Sequence, residues 1–338
     1  MKSFYRIYLF VALFLAGAVV LSIAIGSVFI PPADVLAILF GQAAEIPKAA
    51  LYLDILFKIR LPHTALILLT GAALGGSGAA YQGLFRNPLA DPYLIGVASG
   101  AGLGAVFAMS ANWPNSLLGF YAVPVAAFLG STLTVFIVYQ MARVGKTVPV
   151  TTMILAGVAV SAFASALTSL LMLRSTAELH RALSWLMGGG ALGGWDPVLA
   201  VLPYILLGLG VLTFSGHTLN VLQFGDEQAQ NLGLNVERAK LWLILAASLA
   251  TAAAVSFSGI IGFIGLIVPH VVRLLWGPDY RHAIPLSICG GASVLLLADT
   301  LARVVLAPQV LPVGIITALV GAPFFLWLLK KARDQSFG

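Results

Sequence analysis

The sequence has few charged residues. Lys, Arg, Asp and Glu make up 9% of its 338 residues, whereas a soluble domain carries about a quarter. Hydrophobic residues make up 60%, and the mean hydropathy is +1.01. Several stretches approach or exceed the ~20 apolar residues that cross a bilayer. The composition therefore excludes an ordinary soluble protein and predicts an all-α, polytopic membrane protein.

The chain also lacks the residues of common catalytic and metal sites. Cys289 is the only cysteine, which excludes an intramolecular disulfide and argues against a cysteine metal cluster. HExxH and GxSxG are absent. The run 145–147, Gly-Lys-Thr, resembles the end of a phosphate-binding loop, but Gln140 stands where that motif needs glycine. We therefore expect no catalytic residue, no metal site and no cofactor bound by this chain.

The net charge of +6 comes from scattered residues. Basic side chains lie at the ends of loops rather than in one cluster, which favours an orientation signal in a membrane over nucleic-acid binding. If both termini are cytoplasmic, 12 Lys and Arg fall on cytoplasmic segments and 6 on outer ones. This asymmetry is the one that the positive-inside rule predicts, and it favours an even number of spans.

Hydrophobic runs predict ten spanning helices in one domain, residues 1–338. The first run follows Lys2 and Arg6 but is too long for a signal-peptide core, so we interpret it as a retained span. A short amphipathic stretch is expected near 50–59, and the eighth span is expected to be broken by a proline. The spans are predicted at about 7–30, 62–83, 93–110, 119–142, 149–173, 197–215, 241–258, 262–276, 283–305 and 312–329.

Small residues recur at every fourth position in the second and third spans. This spacing places them on one face of each helix, where two backbones can approach closely. It predicts tight helix packing, and these spans should be central in the bundle. The residues are Gly71, Gly75, Ala79 and Gly83, and then Gly96, Gly100 and Gly104.

A polar tract with two prolines separates these two spans. Arg and Asp are each disfavoured in hydrocarbon by ~2.5–3.5 kcal/mol, and prolines stop a helix. The tract is therefore expected outside the bilayer or surrounded by protein, and the span count places it on the cytoplasmic side. Its marked residues are Gln82, Arg86, Asn87, Pro88, Asp91 and Pro92.

The longest polar connection runs from about 216 to 240 and contains a predicted short helix. Asp226 and Glu227 would lie in its first turn, where the helix dipole favours acidic residues. Gly233 suits its C-terminal end. A docking surface and a solvated helix without a partner both fit these residues.

Other ionisable residues lie at the ends of spans. Asp299 and Arg303 are four residues apart and are expected to pair on one helix face. Arg60 lies at the predicted outer mouth of the second span, where it would anchor the helix at the interface. Pro269 and the glycines before it predict a broken or re-entrant segment, which must be buried in protein. His270 is interpreted as a structural histidine.

Together these blocks resemble the FecCD-type permeases of bacterial ABC importers, which take up iron chelates, haem and cobalamin. The resemblance covers nearly the whole chain from about residue 50. It rests on Arg60-Leu61-Pro62, Gln82, Arg86-Asn87-Pro88-Leu89-Ala90-Asp91-Pro92, Gly262-Phe263-Ile264-Gly265-Leu266, Pro269-His270, Arg273, Ala298-Asp299, Arg303, Leu311-Pro312-Val313-Gly314 and Gly321-Ala322-Pro323-Phe324-Phe325.

The resemblance implies a type II ABC importer permease bundle in a bacterial or archaeal inner membrane, with both termini cytoplasmic. Such a subunit pairs with a second copy of itself around a central pathway. Two ATPase subunits, which hold ATP and Mg, dock below, and an extracytoplasmic substrate-binding protein docks above. The connection 216–240 would be the coupling element, with Gly225, Asp226, Glu227, Ala229, Leu232 and Gly233 at the ATPase contact.

The resemblance also implies roles at both ends of the pathway. Arg60 and Arg303 match arginines that receive acidic residues of the binding protein, so both side chains are expected to reach the outer surface. His63 stands where an arginine is common, and histidine with an unperturbed pKa is mostly uncharged at neutral pH. Val310 stands where the family often has glutamate. The cytoplasmic gate would lie at Val150, Thr151 and Thr152.

The sequence leaves open the cargo and two other classes of protein. An iron-siderophore or haem is favoured over cobalamin, although no motif in the chain selects a ligand. An ion-coupled secondary transporter would need paired ionisable residues inside the membrane, and only Asp299 with Arg303 approaches that. A membrane-embedded enzyme lacks a nucleophile or metal constellation.

Overall fold

The computed structural model describes residues 2–26, 28, 30–41, 48–111, 119–173, 176–190 and 193–336. The described chain is built almost entirely of helices. The α-helices are α1 (Lys2–Ala24), α2 (Pro32–Leu39), α3 (Ala49–Asp54), α4 (Leu61–Leu84), α5 (Val97–Ser110), α6 (Ala122–Ala142), α7 (Val150–Met172), α8 (Thr176–Leu186), α9 (Asp196–Phe214), α10 (Gly216–Leu222), α11 (Asp226–Asn231), α12 (Val236–Ser258), α13 (Ile264–Trp276), α14 (Tyr280–Val304) and α15 (Val313–Ser336).

In the part of the chain that the structure describes, ten helical segments correspond to the ten predicted spans. Three apolar segments are shorter, at Val97–Ser110, Ile264–Trp276 and Val313–Trp327. The seven that are long and apolar enough to cross a membrane are Tyr5–Ala24, Ala49–Leu84, Ala122–Ala142, Val150–Met172, Asp196–Phe214, Val236–Ser258 and Tyr280–Val304. The predicted all-α, polytopic class is therefore confirmed.

The second span is longer than the sequence indicated. Instead of a separate amphipathic stretch near 50–59, a π-helical segment, Ile55–Arg60, joins α3 to α4 in one run of 36 residues. Pro62 lies in the first turn of α4, and the helical run passes through it rather than beginning near residue 62 as predicted.

The eighth span is not broken at its proline. Pro269 lies inside the continuous helix α13, and the break comes earlier, at 259–263, where Gly259 and Phe263 have positive φ. A proline frees the carbonyl four residues before it, which here is that of Gly265. The side-chain amide of Gln82 donates to this carbonyl at 3.4 Å and to that of Leu266 at 3.0 Å. The buried glutamine therefore offsets the missing bond, and the predicted break at Pro269 is wrong.

Helices α4 and α12 form the centre of the bundle. In α12, 78% of the window that could span a membrane is buried, against 22% in α7. The glycines of α4 lie against neighbouring backbones: a Cβ built at Gly75 would be 2.1 Å from the carbonyl oxygen of Ser287 on α14. One at Gly71 would be 2.4 Å from that of Gly291 on the same helix. The tight packing predicted from the four-residue spacing is confirmed.

Candidate functional site

The polar tract after α4 is a compact, self-bonded turn. The side-chain oxygen of Asn87 accepts from the N–H of Leu89 at 2.9 Å. Asp91 caps the following 3₁₀ turn, Pro92–Ile95, by accepting from the N–H of Tyr93 at 2.8 Å. Burial raises the pKa of the Asp91 carboxyl to about 6, although this hydrogen bond acts in the opposite direction. Gln82 and Pro92 at its two ends are buried, whereas Arg86, Asn87 and Pro88 are exposed, so protein surrounds only the ends of the tract.

Ionisable side chains join α4 to α14 at the opposite end of the bundle. Oδ2 of Asp299, whose side chain is 7% exposed, lies 3.0 Å from Nε of Arg303. Oδ1 of Asp299 lies 3.0 Å from Nε2 of His63 on α4. Arg303 also donates from Nη2 to the hydroxyl and carbonyl oxygens of Ser22 on α1. The predicted pairing of Asp299 with Arg303 is confirmed, and His63 completes the cluster.

Arg60 binds the end of α1 beside this cluster. Its guanidinium donates to the carbonyls of Ile23 at 2.6 Å, Ala24 at 2.9 Å and Val28. The last carbonyls of a helix have no partners within it and carry partial negative charge, so they attract cations. Arg60 is 6% exposed and the Arg303 side chain 13%. Arg60 is therefore buried, contrary to the expectation that it reaches the outer surface, whereas Arg303 stays partly exposed; the docking role of both stays a prediction.

The short helix predicted within the connection 216–240 is present as α11, at the end of the bundle that holds the polar tract. Asp226 begins it, and Gly225 before it has φ 102° and ψ 158°, a conformation that is essentially restricted to glycine. Gly233 follows the helix with φ 87°. Ala229 packs inward, whereas Glu227 is exposed and Leu232 is 67% exposed. The helix thus offers an acidic and apolar surface.

A buried lysine under α11 was not singled out from the sequence. Lys240 on α12 is 4% exposed, and its Nζ lies 2.5 Å from Oδ2 of Asp226 and 3.5 Å from Oε1 of Glu237. Oε2 of Glu237 accepts from the N–H of Val148 at 3.0 Å. Arg86, from the tract after α4, lies 3.8 Å from Oδ1 of Asp226. Four segments distant in sequence meet here.

The predicted gate residues lie in the first turn of α7. Thr151 is exposed, and Val150 and Thr152 are half-buried. An exposed stripe of mostly small or weakly polar residues continues from Thr151 along the helix, at alternating spacings of four and three. It consists of Thr151, Leu155, Val158, Ala162, Ser165 and Ser169.

The remaining signature residues lie in and near α13. Within the described residues, Nδ1 of His270 and both terminal nitrogens of Arg273 are buried without a hydrogen-bond partner. The side chain of Pro92 packs against Gly265, which holds the tract against α13. Among the residues that the structure describes, no three His, Cys, Asp or Glu side chains are grouped to hold a metal ion.

The fold defines a polytopic membrane protein with a polar cluster at each end of its helical bundle. The chain belongs to the FecCD transport family, whose model matches residues 13–331.

Relatives with assigned names are similar over most of their length. The chain is 40% identical to the uncharacterized ABC transporter permease protein YvrB of Bacillus subtilis, over 97% of this chain and 94% of the relative. It is 47% identical to the cobalamin import system permease protein BtuC of Halobacterium salinarum, over 82% and 74%. It is 43% identical to the hemin transport system permease protein HmuU of Yersinia pestis, over 83% and 84%.

A solved structure has the same fold. An ABC transporter of the metal-chelate type, in an inward-facing conformation, superposes with a TM-score of 0.81 and 30% sequence identity. The match covers 96% of this chain and 99% of that chain.

Proposed function

We propose that this chain is the transmembrane permease of an ATP-driven importer of a bulky metal chelate, an iron-siderophore or haem. The observation that carries the proposal is the family match over residues 13–331, together with the fold match to a metal-chelate transporter. As a permease of this family, the chain is a translocation subunit and not an enzyme. ATP is hydrolysed by a separate subunit, which supplies the nucleotide and Mg.

The pathway is formed with a second copy of the chain. The exposed stripe on α7 supports this, because the helix buries only 22% of its spanning window in the single subunit. Thr151, Ser165 and Ser169 give the stripe weak polarity without charge. A wall of this kind suits a bulky chelate that must pass without being held tightly. Two copies of α7 would face each other, with the gate at Val150, Thr151 and Thr152.

The two ends of the bundle bind different partners. The exposed surface of α11, with Glu227 and Leu232, is the contact for the ATPase subunit. At the other end, the binding protein docks near Arg60, His63 and Arg303. Both arginines donate hydrogen bonds to backbone carbonyls at the end of α1. Acidic residues of the binding protein would therefore have to share these guanidinium groups with the carbonyls or displace the carbonyls from them. The subunit lies in the inner membrane of a bacterium or archaeon with both termini in the cytoplasm.

Cobalamin is the second candidate for the cargo. A cobalamin permease is 47% identical over 278 residues, and a hemin permease is 43% identical over 288. The binding protein encoded beside this gene selects the ligand, so a binding screen of that protein tests the assignment. Tight binding of haem or a ferric siderophore supports the proposal, and exclusive binding of a corrinoid replaces it with the alternative.

An ion-coupled secondary transporter is disfavoured because Asp299, the carboxylate considered for that role, is already paired with basic side chains. Asp299 is buried, and its two oxygens lie within 3.1 Å of Arg303 and His63. Both oxygens are thus already held by basic side chains of the same subunit, which fits a structural ion pair and leaves neither oxygen open to a transported ion.

A further inference from the structure

We propose that Lys240 and Glu237 form a charged link that transmits movement of the coupling helix α11 to the loop before the gate helix α7. The link runs from Asp226 on α11, through Lys240 and Glu237 on α12, to the backbone N–H of Val148. The inference rests on the proposed function for its role in transport, whereas the link itself is a property of this chain alone.

The first step is the tie between α11 and α12. The 2.5 Å ion pair joins Asp226, whose side chain is 40% exposed, to Lys240, whose side chain is 5% exposed. Burying an ammonium group is costly unless it is paired, so Lys240 must keep its carboxylate partners whenever it stays buried. A displacement of Asp226 therefore either carries Lys240 with it or leaves a buried charge with one partner fewer.

The second step is the tie between α12 and the loop 143–149. Glu237 holds Lys240 with one carboxylate oxygen and accepts the N–H of Val148 with the other. Val148 is 3% exposed and lies two residues before the start of α7. Pro149, between them, cannot donate a backbone hydrogen bond and has a restricted φ. A shift of Val148 is therefore passed to Val150 through a stiff connection.

The third step is that Asp226 pairs less strongly with Arg86 than with Lys240. Arg86 lies 3.8 Å from its Oδ1, and both side chains are about two-fifths exposed. Exposed pairs of this kind contribute little. The pair with Lys240 is thus the principal tie of α11 to the rest of the subunit through charge, and it leads toward the gate.

The physical link is tested by amide hydrogen exchange of the full chain in nanodiscs, without any partner. We expect Glu237→Ala to speed exchange at the Val148 amide about fivefold or more, because its acceptor is removed. Asp226→Ala, which does not touch Val148, should also speed it measurably. Glu227→Ala removes a neighbouring carboxylate on α11 and is the matched control. If Asp226→Ala and Glu227→Ala give the same exchange at Val148, the link does not exist.

The role in transport is tested with the permease bound to its ATPase. A spin label at Lys146→Cys, in a Cys289→Ser background, reports the distance between the two copies of the loop on adding ATP and vanadate. We expect Lys240→Met to lose at least half of the ATP-dependent change seen in the unsubstituted labelled protein. ATP hydrolysis should stay within about twofold, because the ATPase surface of α11 is kept. Arg238→Met, an exposed position on the same helix, should behave like the unsubstituted protein.

The outcomes separate the link from the function. A full distance change in Lys240→Met, or an equal loss in Arg238→Met, overturns the coupling role. If the unsubstituted complex neither binds an ATPase nor responds to ATP, the proposed function fails and the coupling role fails with it. Hydrogen exchange at Val148 still decides whether α11, α12 and the loop 143–149 are mechanically joined.

Discussion

The contact between α4 and α14 offers a sharp test of the packing, through Gly75→Ala. A Cβ at Gly75 would lie 2.1 Å from the carbonyl oxygen of Ser287, whereas ordinary contact begins at 3.4 Å. The two helices would therefore have to separate locally by about 1 Å. Because the obstacle is the backbone of a second helix, the cost should reach the upper end of the range for overpacking, about 3 kcal/mol. The better helix propensity of alanine returns at most about 1 kcal/mol, which leaves a net loss of about 2 kcal/mol.

The control for this substitution is Gly17→Ala in α1, where a Cβ would have nothing within 4 Å. The same chemical change should there be neutral or stabilising by up to about 1 kcal/mol. Unfolding of both variants in mixed micelles, followed by tryptophan fluorescence during a titration with SDS, gives the free-energy differences. Equal stability of Gly75→Ala and Gly17→Ala would refute the close approach of α4 and α14.

Three further predictions concern the polar ends of the bundle. Asp91→Asn should raise the unfolding temperature at pH 7.5 but not at pH 4.5: the raised pKa, about 6, means that the folded protein loses stability as pH rises from about 4 to 6. Asp299→Asn should cost about 3 kcal/mol, measured by the SDS titration, because it leaves the buried Arg303 without its counter-charge. Gly225→Ala should reduce stimulated ATP hydrolysis and uptake in reconstituted vesicles, because alanine is strained at φ 102° and α11 must shift.

Each of these has an outcome that contradicts it. Asp91→Asn must still accept the N–H of Tyr93, so Asp91→Ala serves as the control that also loses the cap. If Asp91→Asn raised the unfolding temperature equally at both pH values, the cost of burying the charged Asp91 carboxylate would not explain the gain. For Asp299→Asn, unchanged stability would mean that the carboxylate is solvated. Full ATPase stimulation and uptake by Gly225→Ala would show that the geometry of α11 is not needed for coupling.

Hydropathy was sufficient for the order of the ten apolar segments, because each is a long apolar run, but it did not indicate short helices such as α2 and α8. It was insufficient at the prolines. Pro269 is accommodated because Gln82, nearly two hundred residues away, donates to the freed carbonyl. Local rules for proline describe the backbone of one segment, and they contain no information on a compensating donor from another helix.

The burial and the partners of the charged residues were also poorly predicted, because they too depend on contacts with other helices. Lys240 entered the sequence argument only as one of the cytoplasmic positive charges, because its burial depends on α11 and the loop before α7 folding over it. Arg60 was predicted at an end of the second span but lies inside the continuous run Ala49–Leu84, and the sequence did not show that the last carbonyls of α1 lie beside it. A lysine or arginine near a helix end is usually solvated, so only the tertiary structure distinguishes these two.

The central claim is tested most directly by uptake into proteoliposomes that contain this chain, its ATPase and its binding protein. The account predicts that a labelled ferric siderophore or haem, whichever the binding protein holds, accumulates only when ATP and all three proteins are present. Removal of the ATPase or the binding protein should abolish accumulation. ATP-independent accumulation by this chain alone, driven by an ion gradient, would contradict the account.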